Sequence, residues 1–453
     1  MRPRRLATGW PTTGRPTTGR LLAVGLAIGA FLLAACSSSP GTSTPGGNAG
    51  AGNQPVTLTL SGWSLSTTPE FQTLADGFHK AHPNVTVQVK EYDATNYDTL
   101  MTADLASGAA PDIITMKNVL HVATYVQGGT LLDVSDVKLP AGISGASAYV
   151  IGGKSYAVPY RLDSWVLFYN RDLFKKAGVA DPDGSWTWDD YVNAAGRLKA
   201  GLKAAGSPAT AAYQHTWQSL VQGFANAQSP GANVLGGKYS YLAPYYQRAL
   251  QLQNEGAQPT FNTATANNLS YQTEFGKQQA AMILMGTWEA ASLLAQQSAG
   301  AADTFSWGMA PAPQYSAATA GTGNVPVTFG DPTGFAVNAK IDPAKLTAAK
   351  EFLGYAASED GAKSLAAIGI TPALINPSVV STFFAVKGMP TDSLSKFAWS
   401  THLTKQENPT SANTATVQDI LNSLNTAVMS GSQPIAAAIS TAQSSFTNQV
   451  GSS

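Results

Sequence analysis

At 453 residues, 44% hydrophobic and 9% aromatic, the chain exceeds the roughly 250–300 residues that one core supports and is too apolar for global disorder, so two lobes or domains are expected. Only 12% of its residues are charged, 27 basic against 27 acidic, which leaves no cationic excess for nucleic acid. The single cysteine excludes a disulfide framework and any multi-cysteine zinc or iron–sulfur site.

Taken in chain order, residues 1–35 read as a secretory leader. Arg2, Arg4, Arg5, Arg15 and Arg20 form a cationic stretch, and an apolar run from Leu21 to Ala35 follows. That run is shorter than the ~20 residues a membrane-spanning helix needs. It ends Leu33-Ala34-Ala35-Cys36. Residues 36–55 then hold no charge and no large apolar side chain, so they read as a flexible tether reaching about 24 Å. Once the leader is removed, 22 basic groups face 27 acidic ones.

From Val56 the pattern becomes a period-two strand, Val-Thr-Leu-Thr-Leu, with Gly62-Trp63-Ser64 suggesting a turn at its end. Thr68 and Pro69 read as the start of a helix carrying Phe71, Leu74 and Phe78. A second strand through Val85, Val87 and Val89 follows, then a helix through Leu100, Met101 and Leu105 to Gly108, and a third strand at Ile113-Ile114. This βαβαβ order predicts an α/β fold with mainly parallel sheets flanked by helices, whose ligand sits beyond the carboxyl ends of the strands. Further on, Arg161, Asp163 and Trp165 alternate before an apolar strand, and Thr187 reads as the N-cap of a helix carrying Leu198 and Leu202.

A set of strings carries a resemblance: ASGAAPDI, then GKSYAVPY with YNRDLFKKAG, then WTWDDY, then QQAAMILMGTW. Standing in this order, they resemble the sugar-type solute-binding proteins of ABC importers, the group related to maltose-binding protein. Leu33 to Cys36 resembles the lipobox of their lipoprotein form, in which Cys36 is the lipid attachment point. The resemblance implies two lobes that close on a ligand at a hinge, in a periplasmic-binding-protein-like fold. It divides the chain into lobe 1 at 56–161 and 331–375, lobe 2 at 162–330, and C-terminal helices at 376–453 that join mainly lobe 2. The crossings fall near Pro159–Asp163 and Gly330–Gly334.

Sugar recognition needs flat aromatic faces and fixed carboxylates or amides. The candidates are Trp63, Lys117, Asn118, Arg161, Asp163, Trp217, Trp288, Glu289 and Asp331. Asp163 and Trp288 match the family's sugar-binding carboxylate and stacking tryptophan; as bland alternatives, Asp163 is a strand carboxylate paired with Arg161 and Trp288 a core aromatic. Asp112 reads as a structural cap. Met116 and Val119 stand where the maltose binders carry a tryptophan and an aspartate, so maltose itself is not expected. A monomeric, lipid-anchored receptor on the outer face of the cytoplasmic membrane follows, with a carbohydrate ligand, an ABC permease as partner, and neither cofactor nor metal. The alternatives are a receptor for a glycerophosphodiester or polyol and, further off, a secreted carbohydrate-active enzyme. Against an enzyme, the chain lacks His-Glu-x-x-His and Gly-x-Ser-x-Gly, Gly153-Lys154-Ser155 lacks a phosphate loop's upstream glycine, and Asp189-Asp190 and Glu359-Asp360 sit where helix caps are expected.

Overall fold

The computed structural model describes residues 54–66, 69–94 and 96–451. The leader, Cys36, the tether up to residue 53 and the Thr68 cap lie outside the described residues. Strands β1 (Val56–Trp63), β2 (Val85–Tyr92) and β3 (Ile113–Met116) alternate with helices α1 (Glu70–Ala81) and α2 (Tyr97–Ser107), as the alternation of apolar spacings predicts. β1 pairs in parallel with both β2 and β3. It runs on through Gly62, where the sequence suggests a turn. A Cβ there would come within 2.8 Å of Phe71 and Val89, so this glycine serves the close packing of α1 and β2 on the strand rather than a bend. α2 ends at Gly108, whose φ of 82° suits the left-handed C-cap.

The chain then leaves this first sheet through β4 (Val158–Leu162) and enters a second through β5 (Trp165–Asn170). Helix α3 (Trp188–Ala204) opens with a reciprocal capping box, Thr187 Oγ1 accepting from the Asp190 amide and the Asp190 carboxylate from the Thr187 amide. After β6 (Thr210–Tyr213), helix α4 (Ser219–Gln228) and helix α5 (Tyr271–Gly276) come β7 (Ala280–Gly286), helix α6 (Trp288–Ser298) and β8 (Trp307–Pro311). The chain returns through β9 (Val327–Gly330) and β10 (Pro332–Val337). The first sheet has the order β2-β1-β3-β10-β4 and the second β8-β5-β7-β6. In each sheet one strand opposes the rest, β10 in the first and β5 in the second. Those are the strands by which the chain departs from the two crossings. The carboxyl ends of all the others therefore point at the crossings.

Buried residues line both faces of the first sheet: Ile113 faces α1, with Leu58, Phe71 and Phe78, while Ile114 and Met116 face α2, with Tyr97 and Met101. The second sheet has one larger core, which also takes up helices α7 (Ser393–Ser400), α8 (Thr414–Met429) and α9 (Ile435–Gln449) through Trp399, Val417, Leu421 and Phe446. Before α8, a short strand β11 (Leu403–Gln406) pairs in parallel with β9. Among the described residues, no helix is long and apolar enough to cross a membrane.

Candidate ligand-binding site

At the carboxyl end of the second sheet, the segments after β6 and β7 and the first residue of β5 bring four aromatic rings and an imidazole together. Trp165 meets Trp288 edge-on at 5.3 Å between ring centroids and Trp217 at 6.4 Å. Trp217 in turn lies 4.5 Å from His215 and 5.7 Å from Tyr271. Trp217 is 43% exposed, so the wall presents an open indole face. Gly286 makes the wall possible: a Cβ at that position would lie 1.9 Å from Cζ3 of Trp288. His215 accepts or donates at Nδ1 to the Tyr213 hydroxyl at 2.9 Å, and burial pulls its pKa down to about 4, so it is neutral at neutral pH.

Next to this wall runs a chain of hydrogen bonds through the first crossing. Arg161, the penultimate residue of β4, donates from one terminal nitrogen to Glu70 Oε2 at 2.5 Å and from Nε to Asp163 Oδ2 at 2.5 Å. Thr287 donates to Asp163 Oδ1 at 2.8 Å, Thr371 to Thr287 at 2.8 Å, and the Trp399 indole to Thr371 at 3.0 Å. Glu70 is fully buried and also accepts from Tyr160 at 3.3 Å. Burial pushes Glu70 above its ordinary pKa, with Arg161 pulling back. Burial works to lower the pKa of Arg161, but Asp163 and Glu70 carry it above its usual value. A carboxylate offers about four lone-pair positions. Asp163, 6% exposed, is thus held by two donors with acceptor capacity left for ligand hydroxyls.

The other nominated residues are differently placed. Trp63 sits at the end of β1, edge-on to Phe71 and Tyr97 at 5.0 Å, and the Lys117 ammonium lies 5.6 Å from its ring centroid. Lys117 donates to the Ala94 carbonyl at 2.5 Å. Its pKa is lowered by burial, against which Asp98 and Asp93 work. Asn118 is engaged in a turn, accepting from the Leu120 amide at 2.9 Å. Asp331 lies in the second crossing with both oxygens occupied, Oδ1 by the Glu407 and Asn408 amides at 3.0 and 3.1 Å and Oδ2 by the Asn408 side chain at 2.6 Å. Glu289 is fully buried behind Trp288, and neither carboxylate oxygen has a hydrogen-bond partner. Asp112 is structural, but not as a local cap: its carboxylate accepts from Thr59, 53 positions back on β1, and pairs with Lys345 at 3.1 Å. Trp165, His215, Tyr271, Glu70, Thr287, Thr371 and Trp399 were not nominated from the sequence. Trp165 alone carried a signal, as the third member of the alternation with Arg161 and Asp163.

Two α/β halves with their strand ends turned to a double crossing, and an aromatic wall beside a fixed carboxylate, define a two-lobed solute receptor. The model of the bacterial extracellular solute-binding protein family matches residues 64–363, and the chain belongs to that family. It is similar to a sugar transporter from Rhizobium etli in an open conformation, with 28% identity and a TM-score of 0.74 over 86% of this chain and 98% of that one. It also shares the fold of a substrate-binding protein from Listeria monocytogenes in complex with cycloalternan, at 20% identity and a TM-score of 0.72 over 88% of this chain and all of that one. Among curated relatives, the sn-glycerol-3-phosphate-binding periplasmic protein of Escherichia coli (strain K12) is 29% identical over 189 residues, 38% of this chain and 41% of that one. The chain spans less than half the length of the curated relatives it matches.

Proposed function

We propose that the chain is an exported receptor that holds a carbohydrate between its lobes and passes it to an ABC permease, without covalent chemistry. The observation that carries this reading is the wall of Trp165, Trp217, Tyr271 and Trp288 beside Asp163. Indole faces suit the C–H face of a pyranose, and a carboxylate held by Arg161 and Thr287 is oriented before the ligand's hydroxyls arrive. The sugar transporter of Rhizobium etli and the cycloalternan-bound Listeria protein lend support as relatives in fold. In this reading residues 56–161 and 331–375 form one lobe and residues 162–330 and 376–453 the other. Cys36 carries the lipid, the tether holds a monomeric body off the membrane, and Trp63 and Trp288 reach the ligand from opposite sides.

A thermal-shift screen with maltose, D-mannitol, chitin oligosaccharides and cycloalternan tests it. At least one neutral carbohydrate should raise the melting temperature and be recovered intact. New reducing ends in the recovered sugar would establish an enzyme instead. The second reading, a receptor for a glycerol phosphate or its diester, is favoured by the Escherichia coli relative. The same screen tests it with sn-glycerol 3-phosphate.

A further inference from the structure

We propose that Glu70 sets the charge selectivity of the site, by holding the Arg161 guanidinium in an acidic clamp that denies it to a phosphate. The inference rests on the receptor reading and narrows it to uncharged ligands.

The two cations among the candidate residues are both engaged elsewhere. Arg161 bonds to Glu70 and Asp163, each at 2.5 Å, so one positive charge faces two carboxylates. The three side chains are 12%, 0% and 8% exposed, which leaves little water to screen their balance. A phosphate arriving beside Asp163 meets a net negative cluster. Nε and one terminal nitrogen of Arg161 already serve the two carboxylates, and its remaining N–H donors offer a phosphate little net attraction because those carboxylates offset the guanidinium's charge. Glu70 is enclosed by Arg161 and Tyr160. Lys117 is turned onto the Ala94 carbonyl and the Trp63 ring, and Asp93 and Asp98 share its surroundings. Sugar hydroxyls lose nothing in such a field, because Asp163 accepts from them as an oriented anion.

The position of Glu70 supports a selective role over a packing one. It opens α1, where an acidic side chain is at home exposed to water near the helix dipole. Here it is instead buried against a residue 91 positions along the chain.

The test compares the full wild-type chain with Glu70→Gln, melted in rising sodium phosphate and in sodium chloride of equal ionic strength, with sn-glycerol 3-phosphate as a second probe. Phosphate raises the melting temperature of most folds by exclusion from their surface, so the readout is the gain of Glu70→Gln over that of wild type. Glu70→Gln should be stabilised by phosphate by several degrees more than wild type and bind sn-glycerol 3-phosphate at least tenfold more tightly than wild type does. Equal responses in the two proteins, or binding of sn-glycerol 3-phosphate by wild type as tight as by Glu70→Gln, would overturn the proposal. The gain must also survive Lys117→Met in the Glu70→Gln background; its loss would make Lys117 the anion site and overturn it too. Should Glu70→Gln fail to fold, Asp163→Asn releases the same guanidinium from its other carboxylate. It must show the same phosphate response, and absence of that response would count against the clamp. The phosphate arm needs no sugar, so a failed carbohydrate screen sinks the receptor reading without deciding this one.

Discussion

Glu70 and Glu289 both stand in the first turn of a helix and both are fully buried, yet only Glu70 has partners. Sequence proximity to Trp288 nominates Glu289 for the ligand. Consecutive residues of a helix point about 100° apart, and the next position after the half-buried Trp288 turns inward. Burial raises the pKa of Glu289 well above the ordinary carboxylate range, so the folded protein holds a proton there that the unfolded chain releases above about 4.5. A raised carboxyl pKa means more protons bound in the folded state, so stability falls as pH rises from that value. Each extra proton steepens the fall by at most about 1.4 kcal/mol per pH unit. Glu289→Gln keeps the shape and removes the titration. We expect its urea midpoint to match wild type at about pH 4 and exceed it at about pH 8. An unchanged pH slope would mean that the carboxyl finds a partner in solution.

The junction of β7 and α6 is where an element makes the site. Gly286 ends the strand, Thr287 supplies the hydroxyl that fixes Asp163, and Trp288 opens the helix with its ring folded over Gly286. A methyl group at position 286 cannot share that space. Gly286→Ala should cost about 1–3 kcal/mol by overpacking. It should also lower the affinity for whichever neutral sugar binds wild type at least tenfold, as read by melting curves and titration. Retained affinity would remove Trp288 from the wall. The same junction marks what local pattern conveys. β1, α1, β2, α2 and β3 are legible because alternation and helical spacing are properties of neighbours in sequence, and the Thr187 box because its two halves lie three residues apart. The polar chain is not legible. Glu70 reaches Arg161 across 91 positions and Thr371 reaches Thr287 across 84, and no periodicity encodes a bond of that span. β11 is equally hidden, since Leu-Thr-Lys-Gln has neither length nor an apolar face. It forms because β9 offers it a free edge.

At the scale of the whole molecule, the second crossing repeats the problem solved by Arg161 in the first, but without a cation. Asp331 and Glu407 lie side by side, and among the described residues no lysine, arginine or histidine forms an ion pair with either. Asp331 accepts from Glu407, Asn408 and the backbone of Val119, whose side chain lies in the first sheet's core, while Glu407 accepts from Ser219, the first residue of α4 on the second sheet's side. The Tyr149 phenol, held neutral by burial, is the other titratable group that feels Asp331. Burial raises Asp331 to about 6 against the pull of its Asn408 and backbone donors, and burial with Asp331's charge raises Glu407 to about 8. Both carboxyls therefore bind protons in the fold that the unfolded chain has lost, and stability should decline as pH climbs from about 4 to about 8. His215 acts at the other end. With its pKa depressed to about 4, the unfolded chain takes up its proton first, so stability is lost as pH falls from about 6.5. The molecule should accordingly be most stable in mild acid. Glu407→Gln should make the decline on the alkaline side shallower, leaving the share that Glu289 carries, and keep the acid side intact; His215→Gln should do the reverse, both measured as urea midpoints across pH. If Glu407→Gln keeps the full alkaline decline, Glu407 does not hold its extra proton in solution, and the second crossing rests on its hydrogen bonds from Asn408, Ser219 and the backbone.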